Sequence, residues 1–286
     1  MKKIENTINK LFYKLQALSK EEDSFGRQKF KEEIARQYKY GNDWVQEFLL
    51  EEGYLDYLSQ DDILKGVLAP EDALFMEKVM KHKNYSLIPC FDLRRDLGRI
   101  SNKLYVSVEE GKIKEIEIEI NHRMKELPKG IGNLTSLITL EIEILFSSDN
   151  IFGNQFFPKS VKNLTLSCSE GMEISDYFNY FPNLENLKIR GRIQEISQKP
   201  TIQLGESFTK LNHLKYLEIR DFKISSLNCI ANLRKLEILD LFYNSFKEFP
   251  ISIIESIKSL KMLGLGGIEL SETEKKRLKK KKIKLL

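Results

Sequence analysis

Histidine is scarce in this chain. His82, His122 and His213 are isolated; none has a second ligand-type residue at metal-site spacing, and none forms a readable catalytic triad. Cysteine is as rare: Cys90, Cys168 and Cys229 are widely spaced and odd in number, which excludes a disulfide framework and a clustered metal motif. No run approaches the roughly 18 apolar residues of a membrane span. Behind Met1-Lys2-Lys3, the residues Glu5, Asn6, Asn9, Lys10 and Lys14 interrupt the apolar stretch a signal peptide needs. There is no Gly-x-x-x-x-Gly-Lys-Ser/Thr phosphate loop. Charge of one sign is also lacking: 46 Lys+Arg against 42 Asp+Glu leave +4, and the eight basic and two acidic residues of 272–286 produce the whole excess. The expectation is a cytoplasmic, monomeric protein without cofactor or metal, whose near-neutral body gives no whole-chain argument for nucleic acid or an anionic membrane.

What is present is a repeat. From residue 113 an apolar–x–x–apolar–x–apolar pattern returns as Ile113/Ile116/Ile118, Leu137/Leu140/Ile142, Val161/Leu164/Leu166 and Leu184/Leu187/Ile189. It continues as Leu214/Leu217/Ile219, Leu236/Leu239/Leu241 and Leu260/Leu263/Leu265. First positions are 24, 24, 23, 30, 22 and 24 residues apart. The last two apolar positions of each unit alternate with variable residues, which puts them on one face of a short strand. Each return leg carries its own apolar markers, several before a proline: Leu127-Pro128, Phe157-Pro158, Phe181-Pro182 and Phe249-Pro250. One such unit cannot bury its apolar edge alone; stacked units bury a continuous core and align their strands in parallel.

Residues 127–137, LPKGIGNLTSL, and 236–246, LEILDLFYNSF, resemble the return leg and the strand-and-asparagine segment of intracellular leucine-rich repeat proteins with 23–24-residue repeats. The resemblance covers residues 101–286, about seven repeats. It implies an α/β solenoid, a horseshoe with a parallel β-sheet on the concave face. The family's ladder asparagine is present only as Asn121 and Asn244; Leu145, Ser169, Arg192, Phe222 and Ile268 stand at the equivalent positions. About seven extra residues near Ser197–Gly205 read as a convex-side loop. Residues 104–113 read as a hairpin closing the first edge. At the other end Ser271 and Glu274 form a capping box before a lysine-ended helix, with a last short strand at 283–285.

Residues 1–100 are expected to form a small α-helical domain or cap. Helical spacing is carried by Ile4/Ile8/Leu11/Leu15/Leu18, by Phe30/Ile34/Tyr38, and by Trp44/Val45/Phe48/Leu49. A fourth helix starts at Ser59–Asp62 and a fifth at Pro70.

On the concave face the variable strand positions map a surface. Glu115, Glu117, Glu119, Glu141 and Glu143 make an acidic end. Arg190, Tyr216, Arg220, Ile238, Asp240, Phe242, Tyr243 and Met262 combine aromatic, Arg and Met side chains, the composition of interface hot spots. The function that follows is a non-enzymatic scaffold holding a protein partner on this face. Two alternatives stand beside it. Cys90-Phe91-Asp92 resembles the nucleophile motif of bacterial ubiquitin ligases that also carry leucine-rich repeats, although it precedes the repeats here. The lysine-rich tail could bind nucleic acid or an anionic membrane, or could be a solvated cap that shields a sheet edge. Gly264, Gly266 and Gly267 sit on the last repeat strand, where they thin it.

Overall fold

The computed structural model describes residues 10–11, 13–18, 24–83, 86–90, 103–145, 151–153, 155–168, 172–174, 177–192 and 199–286. The chain forms two compact units, Met1–Glu117 and Ile118–Leu286.

In the first unit, helices Ser24–Tyr40, Asp43–Glu51 and Pro70–Lys83 bury the apolar positions that recur at helical spacing, among them Phe30, Ile34, Tyr38, Val45, Leu49, Phe75 and Val79. Asn42 caps the second of these, its side chain accepting from the Val45 amide at 3.2 Å. Ile4 and Ile8 lie outside the described residues, while residues 13–18 are helical. The helix opened by Ser59 departs from the expected form. Ser59 and Asp62 make a reciprocal capping box, but after Gln60–Asp62 the backbone widens to a π-helix over Ile63–Val67. Gly66 lies so close to helix Ser24–Tyr40 that a Cβ there would meet Ala35 Cβ at 3.0 Å.

Three strands join these helices: β1 (Ser86–Cys90), β2 (Lys103–Glu109) and β3 (Lys112–Ile120). The expected hairpin is β2–β3, antiparallel, with Glu110 and Gly111 both at positive φ, as primed two-residue turns require. β2 is not the sheet edge, however, because β1 pairs with it in parallel. Two buried polar side chains fasten helix to hairpin. Gln46 Nε2 donates to Tyr38 O at 2.9 Å and to Val108 O at 3.0 Å, and Asp72 accepts from the Ile113 amide at 2.7 Å.

The second unit is built from β4 (Thr139–Ile144), β5 (Asn163–Cys168), β6 (Met172–Ile174), β7 (Asn186–Gly191), β8 (Thr201–Leu204), β9 (Tyr216–Arg220), β10 (Lys223–Ile224), β11 (Ile238–Asp240), β12 (Ser245–Phe246), β13 (Met262–Gly264) and β14 (Lys284–Leu285). Strands β4-β5-β7-β9-β11-β13-β14 lie side by side in parallel, in the register the repeat spacing demands: Leu140, Leu164, Leu187, Leu217, Leu239 and Leu263 stand in one row. Every repeat apolar position from Ile113 to Leu265 is buried. The return legs are short 3₁₀ turns, Ile131–Asn133, Tyr177–Tyr180, Glu206–Lys210 and Asn228–Asn232, and then the α-helix Ile251–Ser256. Phenylalanines of successive repeats meet tilted or edge to face, with Phe157–Phe181 centroids at 4.9 Å and Phe178–Phe208 at 4.5 Å. This is the leucine-rich repeat fold.

The segments after β5, β7, β9 and β11 form a second parallel sheet, β6-β8-β10-β12. The expected loop near Ser197–Gly205 is therefore corrected: Thr201–Leu204 is strand β8, pairing with both β6 and β10, and Ile202 is fully buried. Strand β8 itself is in register with both neighbours.

The two ladder asparagines differ. Asn244 is buried and links two repeats: its Nδ2 donates to Ile219 O at 2.6 Å and Leu241 O at 2.9 Å, while Oδ1 accepts from the Phe222 amide at 2.9 Å. Asn121 is half-buried, accepts from the amides of Arg123 and Met124 in its own turn, and donates to Glu119.

At the end of the solenoid Ser271 and Glu274 form the expected capping box on helix Glu272–Lys280, and β14 adds the last strand beside β13.

Candidate functional site

The parallel register turns the outward strand positions of the second unit into columns. The first runs Thr139, Asn163, Asn186, Tyr216, Ile238, Met262, Lys284; the next runs Glu141, Thr165, Lys188, Glu218, Asp240, Gly264. In the first column Asn186 Nδ2 donates to Asn163 Oδ1 at 2.7 Å, and Asn163 Nδ2 donates to Thr139 Oγ1 at 3.0 Å. At the strand entrances, Lys162 and Lys215 both reach Glu185, at 3.3 and 2.6 Å, and Lys261 reaches Glu237 at 2.9 Å. Residues 23–30 apart in sequence become cross-strand neighbours, so polar pairs form laterally across the sheet.

The C-terminal half of the face holds one connected network. Glu218 is 2% exposed; its Oε1 accepts from Arg190 Nε at 2.6 Å and its Oε2 from the Tyr216 hydroxyl at 2.7 Å. Arg220 lies 3.5 Å from the same carboxylate and donates to Asp240, itself 3% exposed. Asp240 in turn accepts from the Phe242 amide at 3.1 Å, and the Arg220 guanidinium sits over the Phe242 ring, 4.8 Å from its centroid. Burial alone would raise the Glu218 carboxyl, but the hydrogen bonds from Arg190 and Tyr216 hold it below the ordinary carboxylate range. Burial and the Glu218 carboxylate push the Tyr216 hydroxyl up. The cations and anions of this patch thus pair largely with each other, although Arg220 Nε is buried without a hydrogen-bond partner.

Those aromatics rest on glycine. A Cβ at Gly264 would meet Phe242 Cε1 and Asp240 Oδ1 at 2.9 Å, one at Gly266 would meet Phe242 Cδ1 at 3.1 Å, and one at Gly267 would meet Tyr243 Cδ1 at 2.8 Å. The expectation that all three glycines lie on the last repeat strand is corrected: only Gly264 is on β13, while Gly266 and Gly267 form the turn after it, and together they are the floor of an aromatic platform. Gly267 has φ +76°, and Tyr243 itself has φ +59°. Tyr243 is 54% exposed; Lys199 reaches across to donate to its carbonyl at 2.5 Å. Phe242, whose ring centroid lies 6.2 Å from that of Tyr243, is half-buried, as are Tyr216, Ile238 and Met262 in the first column.

At the other end Glu115, Glu117 and Glu119 alternate with buried isoleucines along β3, each half-buried. Glu141 and Glu143 do the same on β4, and Glu143 pairs with Arg192, two strands away. Cys90 closes β1, and Phe91 and Asp92 lie outside the described residues. Burial pushes the thiols of Cys168 and Cys229 up to about 12 and about 11, away from nucleophilic character. Among the described residues no group of His, Cys, Asp and Glu could hold a metal ion, and no helix is long and apolar enough to cross a membrane.

The sequence pattern alone missed the glycine floor, the Thr139–Asn163–Asn186 ladder and the role of Lys199. The first two were accessible by aligning equivalent positions of successive repeats; Lys199 was not, because it enters from the insertion.

No family model matches the chain. A Toll-like receptor 4 of Pinctada imbricata is 30% identical over 127 residues, which are 40% of this chain and 13% of that receptor. The chain therefore spans about an eighth of the length of the curated relative it matches. Similar solved structures include an internalin (inlF) of Listeria monocytogenes, at 14% identity and TM-score 0.38 over 76% of this chain and 72% of that one. A leucine-rich repeat protein of Leptospira interrogans follows, at 19% identity and TM-score 0.40 over 74% of this chain and 56% of that one. Internalin C2 of Listeria monocytogenes has 19% identity and TM-score 0.36 over 60% of this chain and 78% of that one.

Proposed function

We propose that this chain is a non-enzymatic binding protein that recognises a protein partner on the concave face of its repeat sheet, with the Tyr243–Phe242 platform as the anchor. Stacked repeats present an extended, preorganised surface, and preorganisation is what lets such a face bind without an ordering cost. The observation that carries the reading is the platform itself. An aromatic residue held at positive φ, 54% exposed and set against Gly267, beside a Phe242 ring set against Gly264 and Gly266, is costly to build and serves no core. Tyr216, Ile238 and Met262 form one column of the same sheet, Arg220 sits over the Phe242 ring, and Arg190 is tied to Tyr216 through Glu218. In the same unit Glu119, Glu141 and Glu143 form a secondary acidic patch for the same partner.

The test is a photo-crosslinking side chain at position 243 or, as control, at the exposed Lys258 on the return leg, followed by affinity capture with Tyr243→Ala/Met262→Ala. A protein crosslinked only from position 243 and lost from the folded double variant supports the reading. Crosslinking from position 258 alone, or capture unchanged by the double substitution, removes this face as the site.

A further inference from the structure

Exposed aromatic rings of the first unit differ in what covers them. Phe25 and Tyr40 each have a cation of the chain in place: the Lys29 ammonium stands 4.2 Å from the Phe25 centroid and the Lys39 ammonium 5.6 Å from that of Tyr40. Trp44 and Tyr57 are open to a similar degree, at 56% and 57% exposure, yet among the described residues no cation stands over either ring. These two rings end one aromatic strip. Trp44 and Phe48 are one turn apart on helix Asp43–Glu51. Phe48 meets Tyr54 of the 3₁₀ turn Tyr54–Tyr57 at 5.7 Å between centroids, and Tyr54 and Tyr57 both pack on the buried Phe30, at 6.3 and 5.1 Å. Phe48 and Tyr54 are half-buried between the two open rings.

The charge along this strip has one sign. Residues 41–64 hold seven carboxylates and no Lys or Arg. The fold uses some of them. Asp62 closes the Ser59 capping box and binds Lys31 at 2.8 Å, Asp61 pairs with Lys65 at 2.8 Å, and Asp43 suits the first turn of its helix. Glu52 has no such use: it is the C-cap of helix Asp43–Glu51, at the negative end of a helix whose last turn holds no basic residue. Asp56 stands on the turn between Tyr54 and Tyr57. Both carboxylates are exposed and have no ion-pair partner among the described residues. Burial and then the Glu52 carboxylate push the Tyr54 hydroxyl up, which puts that carboxylate beside the aromatic strip.

We propose that this strip docks an arginine-rich segment of a protein partner, with guanidinium groups over the Trp44 and Tyr57 rings and Glu52 and Asp56 as their counter-charges. Open rings next to carboxylates of uniform sign complement a cation, the same group that the chain itself places over Phe25 and Tyr40. An uncharged segment would desolvate the carboxylates without pairing them. Arginine fits better than lysine, because a planar guanidinium stacks on a ring while its N–H groups reach a carboxylate, whereas an ammonium is a compact, strongly hydrated charge. The contact uses residues of the first unit alone and does not depend on what occupies the concave face.

The test titrates the full chain at low salt with an octapeptide of alternating Arg and Gly, with its Lys counterpart and with its neutral citrulline counterpart. Trp44 is the single tryptophan of the chain and lies on the strip, so its emission reports on the site itself. The expected result is a saturable change with the arginine peptide, several-fold weaker binding of the lysine peptide and no binding of the citrulline peptide. Tyr57→Leu keeps an apolar side chain but removes the ring, and should weaken the arginine peptide about three- to fivefold. Glu52→Gln/Asp56→Asn should weaken it about fivefold, and both variants should melt as wild type does. Glu248→Gln/Glu269→Gln removes the same charge from the second unit and should bind as wild type does. No response to the arginine peptide, equal affinity for the lysine peptide, insensitivity to Tyr57→Leu or to Glu52→Gln/Asp56→Asn, or an equal loss in Glu248→Gln/Glu269→Gln overturns the proposal. So does a Trp44 emission that changes with protein concentration alone, which would identify a second copy of this chain as the occupant.

Discussion

Replacing Asn244 by Ala should cost this protein far more than the same change at Asn121, although both occupy the ladder position of the repeat. The Asn244 side chain is 4% exposed and holds three backbone groups: the carbonyls of Ile219 and Leu241 and the amide of Phe222. An ordinary internal hydrogen bond contributes about 1 kcal/mol net, so losing three from a site that water cannot enter freely should destabilise the second unit by about 3 kcal/mol. Asn121 serves its own half-buried turn, where water replaces the lost contacts, and Asn121→Ala should cost less than about 1 kcal/mol. Guanidinium unfolding followed by far-ultraviolet circular dichroism is the assay, since the single tryptophan, Trp44, belongs to the first unit. Amide hydrogen exchange at Phe222 gives a local readout, because its N–H loses its acceptor only in the Asn244 variant. Equal costs for the two substitutions, or full protection of the Phe222 amide in Asn244→Ala, would refute the reasoning.

Gly264→Ala inserts a Cβ 2.9 Å from both Phe242 Cε1 and Asp240 Oδ1. It should lower stability by about 1–3 kcal/mol through overpacking and, on the proposed function, weaken partner capture more than it weakens folding. A variant with wild-type stability would show that the platform is not seated on this strand. Acid sensitivity should follow the depressed carboxylates. Burial on its own would raise Glu33, but hydrogen bonds from Arg36, Lys14 and Gln37 bring it down to about 2. A carboxyl lowered in the folded state contributes stability that is complete above its unfolded value of about 4.3 and is lost as the pH falls toward 2. Thermal melts between pH 5 and about 2 should therefore be flatter in Glu33→Gln than in wild type. The same direction holds for Glu218→Gln, where loss of the buried carboxylate also costs stability at neutral pH by leaving Arg190 without its partner. Parallel acid limbs in variant and wild type would contradict the assignment.

Most of the repeat unit was legible before any coordinates. Twenty-one apolar positions recurring at nearly constant spacing specify buried strands in parallel register, because a single repeat has nowhere else to put them. The capping box at Ser271–Glu274, the Glu110–Gly111 hairpin turn and the helix opening at Pro70 are local chemistry, so neighbouring residues sufficed to locate them. The residues of the face were legible as well, since alternation alone says which side chains point outward. What tertiary structure decided is which of those outward groups are already used. Glu218 and Asp240 read as surface charges, yet both are buried, because the partners that cover them, Arg190 and Arg220, sit one strand away and a full repeat distant in sequence. Strand β1, the second sheet through Thr201–Leu204 and the anchoring of Arg277 and Lys281 depend likewise on non-local pairing. Periodicity determines which face a residue is on; only the lateral register of the stacked strands determines what stands beside it.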